Sequence, residues 1–462
     1  MKVKADFLEK DEIEKLHEAT LYVLSRVGVS MQNDKVLEIL RHHGAKVDGN
    51  KVLIRENLLR EALAAVPKSF PVQGRETKND VIIGGDAPVF ASASGPVYVR
   101  RGQHKYLAKD EDFINFIKLS ESSKVLNVTN YIMVEPQDVD PERRKMHQVA
   151  CCLKYSTKPL IGITMGDGAT KRCLKLVENF FGSLAEHRLI GIISPISPLV
   201  YDEQMLDHVI QYAEAGQPLL FASCSLPGAT SPITLSGTMV IDNAEVLAGI
   251  VLSQLIRPGL PVIFGNTSTA CDMRYASPAI GSPETALITL TTAALSKFYG
   301  IPCRSGGNLT DAKTADMQAG LESMLTILPS LISGVDFVLQ SCGILESFNT
   351  ISYEKFVIDE ETLAIAKRFV AGYEIREELM GLSMIEKSGP GANFLGEQHT
   401  IDFFRKEQYV SGLFSKEGYA QWEEKGALPI EQRAGQSIEK RLREYTEPGI
   451  TKDQEKILGE YL

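Results

Sequence analysis

Between Pro88 and Ser341 one pattern repeats eight times: a short, nearly continuous apolar run, a polar turn, then a long amphipathic stretch. The runs are PVFASA (88–93), VLNVTN (125–130), PLIGIT (159–164), LIGIIS (189–194), PLLFAS (218–223), PVIFGN (261–266), PCRSGG (302–307) and DFVLQS (336–341). Strands buried on both faces of a parallel sheet read this way, turning polar only where the chain leaves the core. The stretches between them, such as ATKRCLKLVENFFGSL and NAEVLAGIVLSQLI, are long enough for helices, and several stop at a glycine or before a proline-led strand. The alternation predicts an α/β fold, a (β/α)8 TIM barrel over residues 86–354. A doubly wound open sheet fits less well, because no Gly-x-Gly-x-x-Gly turn follows the first run.

The flanks break the rhythm. Residues 1–85 read as a mostly helical N-terminal cap. Leu16, Ala19, Val23 and Val27 recur at helical spacing. Helices follow over about 35–43 and 55–66, with a Gly-Asn turn in KVDGNKVLI marking a small hairpin between them. Residues 355–462 read as a charged helical extension that wraps the barrel or carries self-association, so a homo-oligomer is expected.

Composition bounds the function. A net charge of −10 over 462 residues argues against nucleic acid, whose binding rests on phosphate neutralisation by basic patches. There is no unbroken run of 18 apolar residues, and the first residues turn acidic too early for a signal peptide, so no membrane span is expected. Seven cysteines without framework spacing suit a cytoplasmic protein with reduced thiols.

In a barrel, chemistry belongs at the C-terminal ends of the strands. These ends supply Asn130, Tyr131, Thr164, Ser194, Ser223, Cys224, Asn266, Thr267, Arg304, Gln340 and Ser341. The set is rich in neutral hydrogen-bonding groups and holds no histidine, which disfavours a His-dependent hydrolase. Cys224, Cys303 and Cys342 lie at or near strand ends and could hold zinc with a water, but no paired metal-ligand motif accompanies them, and none is expected to bind metal. Two glycines in GGNLTDAK either cradle a phosphate or make a tight strand-to-helix turn. Aromatic residues near the mouth, among them Tyr98, Tyr131, Phe348 and Phe356, are core packing or faces for a quaternary ammonium.

GGNLTDAKTADMQAGLES, GANFLGEQHT and PVFASASGPVYV together resemble the trimethylamine methyltransferase family over nearly the whole chain. The resemblance implies a barrel that moves a methyl group from a methylated amine to the Co(I) corrinoid of a separate protein docking at the barrel mouth, with no cofactor held permanently. Founding members carry pyrrolysine, which activates a neutral amine. This chain has only the twenty standard residues, and so is similar to members that demethylate quaternary amines, glycine betaine foremost and proline betaine or carnitine beside it. A quaternary nitrogen is already cationic and leaves as a neutral tertiary amine without proton transfer. On this reading Tyr98, Tyr131 and Phe356 form an aromatic cage, and Arg304 or His399 binds the substrate carboxylate. Asn130, Asn266 and Gln340 offer neutral hydrogen bonds at the rim. Asp311 faces the cation or caps the next helix, and Asp311 and Gln340 are the catalytic candidates. The alternatives are a zinc-dependent methyltransferase acting on methanol or thiols, and a betaine-binding protein without activity.

Overall fold

A computed structural model describes residues 3–462. Eight parallel strands follow one another around a barrel: β1 (Val89–Phe90), β2 (Thr129–Asn130), β3 (Leu160–Gly162), β4 (Leu189–Ile193), β5 (Leu219–Ser223), β6 (Val262–Asn266), β7 (Cys303–Arg304) and β8 (Phe337–Val338). A parallel bridge between Ala91 and Val128 joins β1 to β2 and closes the ring. All eight apolar runs are therefore strands. The longest seam is β5–β6, with five register pairs from Leu219–Val262 to Ser223–Asn266.

Eight helices return the chain: α1 (Asp110–Glu121), α2 (Pro141–Tyr155), α3 (Ala169–Phe181), α4 (Glu203–Ala215), α5 (Leu235–Ile256), α6 (Pro283–Tyr299), α7 (Met317–Ser333) and α8 (Tyr353–Ala371). Caps set their limits. Asp202, Thr234, Ser282 and Asp316 accept from backbone N–H groups at the starts of α4 to α7. Gly216, Gly300 and Gly334 end three helices in the left-handed conformation. The expected division at residue 354 falls in the first turn of α8.

Helix α5 starts well before the apolar stretch NAEVLAGIVLSQLI that marks it in the sequence. It is the one helix among the described residues long and apolar enough to cross a membrane, with a mean hydropathy of 1.5, and 78% of that window is buried inside the molecule. The burial comes from two sides. The barrel covers one face; the cap helices Lys10–Tyr22, Asp34–His42 and Glu56–Ala65 cover the other. The cap thus sits on a flank of the barrel, and its strand Val29–Met31 pairs in parallel with Val200–Tyr201 beyond β4. Its first helix ends in a π-turn over Val23–Val27. The extra residue shifts the helical period, so Leu24 is buried and Val27 is 46% exposed.

The hairpin Phe70–Val72 and Val81–Ile83 plugs the N-terminal end of the barrel. Phe70, Val72, Val81 and Ile83 form one buried cluster with the inward side chains Ala91, Ile161, Ile190, Leu220, Ile263 and Phe337. The opposite end, where the strands finish, is left for chemistry.

Candidate active site

Arg304 ends β7 and is 2% exposed. Its Nη1 donates to the Asn266 carbonyl at 2.5 Å and to Thr267 Oγ1 at 2.7 Å, while its Nε has no partner. Among the described residues it forms no ion pair. Burial pulls the guanidinium down to about 10, with the Cys224 and Cys303 thiols as its ionisable neighbours, so it stays charged at neutral pH. A buried cation with no counter-ion is costly, and a bound carboxylate would relieve it.

The neutral groups around it hold the mouth together. Asn130 Nδ2 donates to the Ala93 carbonyl (3.0 Å), and its Oδ1 accepts from the Ile132 N–H. Gln340, with left-handed backbone at φ 60°, clamps the Ser94 peptide from both sides, each contact 2.9 Å. Asn266 Nδ2 donates to Asp242 Oδ2 at 2.8 Å. All three expected rim residues are buried at strand ends, and each is engaged with neighbouring loops.

The glycine pair is explained by close packing. Gly306 and Gly307 have φ of +69° and +145°, and a Cβ on Gly306 would lie 1.8 Å from Ser330 Oγ. The loop that follows is stapled internally. Asp311 accepts from the Ile280 and Gly281 N–H groups (3.1 and 3.0 Å) and from Ser347 Oγ (2.5 Å). Helix α7 is capped instead by Asp316. With its oxygens so engaged, Asp311 ties three loops together and neither caps a helix nor presents a free carboxylate. Ser347 lies in a run of left-handed residues, Glu346, Ser347 and Phe348 at φ 51°, 52° and 75°, the kind of backbone strain that collects at functional sites.

The expected aromatic cage is not assembled. Tyr131 and Phe356 are 2% and 0% exposed, which closes their faces; Phe356 packs on Phe116 with ring centroids 5.8 Å apart. Tyr98 has the Lys105 ammonium 4.3 Å over its ring. His399 is also away from the mouth. Helix α8 carries the chain from the mouth to the plugged end, and His399 follows in the helix Gln398–Glu407, its ring tilted against Phe403 with centroids 4.7 Å apart. That helix is tied to Arg368 near the end of α8.

Cys303 and Cys342 are buried and Cys224 is exposed at the mouth. Among the described residues the only three-member grouping of histidine, cysteine and carboxylate donor atoms is Asp110, His147 and Cys151, between α1 and α2. There Asp110 lies 2.8 Å from His147 Nε2 and holds the imidazole at about 10. The residues missed by sequence reasoning are Asp242 and Glu245, buried on α5 behind β5 and β6. Their signal was available: two acids on one turn of an otherwise apolar helix.

Comparison with known proteins identifies the family. The family described as trimethylamine methyltransferase (MTTB) matches residues 2–462. The chain is 38% identical to a glycine betaine methyltransferase of Desulfitobacterium hafniense over 97% of its length and 94% of that protein's. It is 35% identical to an L-carnitine:corrinoid methyltransferase of Eubacterium limosum, covering 98% and 96%. The crystal structure of the Methanosarcina barkeri monomethylamine methyltransferase shares the fold, with a TM-score of 0.55 at 13% identity, over 96% of this chain and 89% of that one. The chain belongs to the trimethylamine methyltransferase family.

Proposed function

We propose that this enzyme moves a methyl group from a quaternary amine bearing a carboxylate, glycine betaine foremost, to the Co(I) corrinoid of a separate protein. The observation that carries the reading is Arg304, a buried guanidinium at the barrel mouth with an unpartnered Nε and no counter-ion among the described residues. A betaine brings the missing carboxylate and places its ammonium at a fixed distance from it.

The corrinoid supplies the nucleophile, forming the Co–CH3 bond while the electron pair of the broken C–N bond stays on the departing tertiary amine. No proton moves, which suits a mouth lined by neutral groups. The chain's own part is to bind, orient and dry the substrate. Arg304 anchors the carboxylate through its free N–H groups. Gln340, Asn130 and Asn266 hold the loops whose placement aims the methyl outward. Asp311 keeps the loop after β7 in place.

Exposed apolar side chains stand on the loops around the mouth: Met165, Ile196, Ile233, Met273, Tyr275 and Met317, from 42% to 81% exposed. This rim is the surface we assign to the corrinoid protein. A second apolar surface lies on residues 373–410. The helices Glu377–Met380, Leu382–Ser388 and Gln398–Glu407 contain no buried residue. Helices this short are marginal in water without a packing partner, and we assign that surface to a second copy of the chain.

The decisive assay supplies Co(I) corrinoid and a panel of methylated amines. Glycine betaine, carnitine or proline betaine should yield methyl-cobalt and the demethylated tertiary amine. Turnover of trimethylamine alone would overturn the reading.

A further inference from the structure

Helix α5 is apolar along most of its length, yet it carries Asp242 and Glu245 one turn apart at 1% and 0% exposure. Both face the β5–β6 seam, where Ser223 and Asn266 are register partners. Ser223 Oγ lies 2.8 Å from Asp242 Oδ1 and 2.5 Å from Glu245 Oε2. Glu245 also accepts from the Leu199 N–H (2.7 Å) and from Ser197 Oγ (2.9 Å). Asp242 also accepts from Asn266 Nδ2 at 2.8 Å.

A serine hydroxyl has one hydrogen and cannot donate to two carboxylates at once. Both contacts are attractive only if one acid keeps its proton, donates to Ser223, and Ser223 donates onward to the other. Glu245 has Leu199 and Ser197 as further donors, whereas Asp242 has Asn266, Ser225 and Ser268, so the better-supplied Asp242 is the ionised acid and Glu245 the neutral one. The line continues toward the substrate site: the Asn266 carbonyl receives Arg304 Nη1, and its Oδ1 accepts from the Ser268 N–H at 2.7 Å.

We infer that Glu245, Ser223 and Asp242 share a single proton, held on Glu245, and that this hydrogen-bonded chain is a positioning device that sets Arg304 through Asn266. The inference rests on the reading of Arg304 as the carboxylate anchor. Burial pushes Glu245 up to about 7 and raises Asp242 as well. The groups facing the pair are few. Tyr201 Oη donates to the Glu245 carbonyl, and Cys224 is near enough to feel the charges of Asp242, Arg304 and Glu245. On the cap side of α5, Asn243 meets Thr20 and Tyr299, with His17 beyond Tyr299. Among the described residues no lysine or histidine hydrogen-bonds to either acid.

The sign follows. As pH rises and Glu245 ionises, Ser223 faces two anions with one hydrogen. Ser223 then lets go of one carboxylate and the two acids repel, which shifts Asp242 and the Asn266 side chain it holds, and with them the end of β6 that carries the carbonyl accepting from Arg304, so affinity for a carboxylate substrate falls on the alkaline side.

Two measurements on the full-length protein test this. Infrared titration of the unliganded enzyme should show a protonated-carboxyl C=O band near about pH 6 that fades by about pH 8.5 and is missing in Glu245→Gln. Calorimetric titration with glycine betaine should show affinity falling about 10-fold over the same range in the wild type. In Glu245→Gln, whose amide donates to Ser223 at every pH, the change should stay within about twofold. A wild type without the band, or a Glu245→Gln affinity profile that tracks the wild type, overturns the inference. Arg304→Ala in the same series separates the two readings: undiminished betaine affinity there removes the anchor while the band persists.

Discussion

On the proposed reading, Arg304 turns a charge too costly to bury alone into a binding device. Its partners inside the protein are one carbonyl and one hydroxyl, so a carboxylate anchored there would relieve an uncompensated charge. Arg304→Ala is expected to raise the Kd for glycine betaine about 100-fold, the scale seen when one member of a buried hydrogen-bonded charge pair is removed. Arg304→Lys should recover only part, since an ammonium lacks the planar fork; calorimetry on both variants checks this. Glu245 makes a separate prediction about stability. Its ordinary value of 4.5 is raised to about 7 by burial, so the folded state holds a proton that the unfolded state has lost across that window. Unfolding free energy therefore declines as pH climbs from 4.5 towards 7, and Glu245→Gln should flatten that slope in denaturant titrations. Single residues were also where sequence reading reached least. The strand-end positions of Arg304, Asn130, Asn266 and Gln340 were legible from the apolar runs that precede them. The burial of Tyr131 and Phe356 was not legible, because whether a ring lines a cavity or fills a core depends on packing that no spacing encodes.

At the level of elements, the barrel was almost fully readable, because burial on both faces leaves an unmistakable run of apolar residues in every strand. Helix starts were harder. The first residues of α5 look like a loop, since Thr234, Ser236 and Gly237 favour turns and caps, and only tertiary packing makes them helical. Those residues bring Asp242 into place, so the boundary error hid the acid pair. The loop after β7 makes the converse point. Its polar residues read as catalytic equipment, yet Asp311, Thr310 and Glu322 bind one another and the backbone. Gly306→Ala should lower the melting temperature by several degrees or abolish folding, because its Cβ would overlap Ser330 Oγ. Gly306→Ala combined with Ser330→Ala should recover part of the loss; equal melting of the single and double variants would show that left-handed strain, rather than the clash, sets the cost.

For the whole molecule, the apolar surface on residues 373–410 bears on assembly. Ile401 and Phe404 on the helix Gln398–Glu407 are 57% and 42% exposed. Replacing both with glutamate should convert an oligomer to a monomer in light scattering while the barrel's melting transition survives. The sequence offers only a charged helical tail for self-association, because amphipathicity says that a face wants cover and does not say which molecule supplies it. The plug at the far end of the barrel has a different consequence. With Phe70, Val72, Val81 and Ile83 closing the N-terminal end, every arrival and departure uses one doorway. With the corrinoid protein docked there, as we propose, the doorway would be shut, so the amine would have to enter before docking and its demethylated remnant would have to wait for undocking. Turnover would then follow a compulsory order, in which excess partner should slow the release of the small molecule it helped to produce.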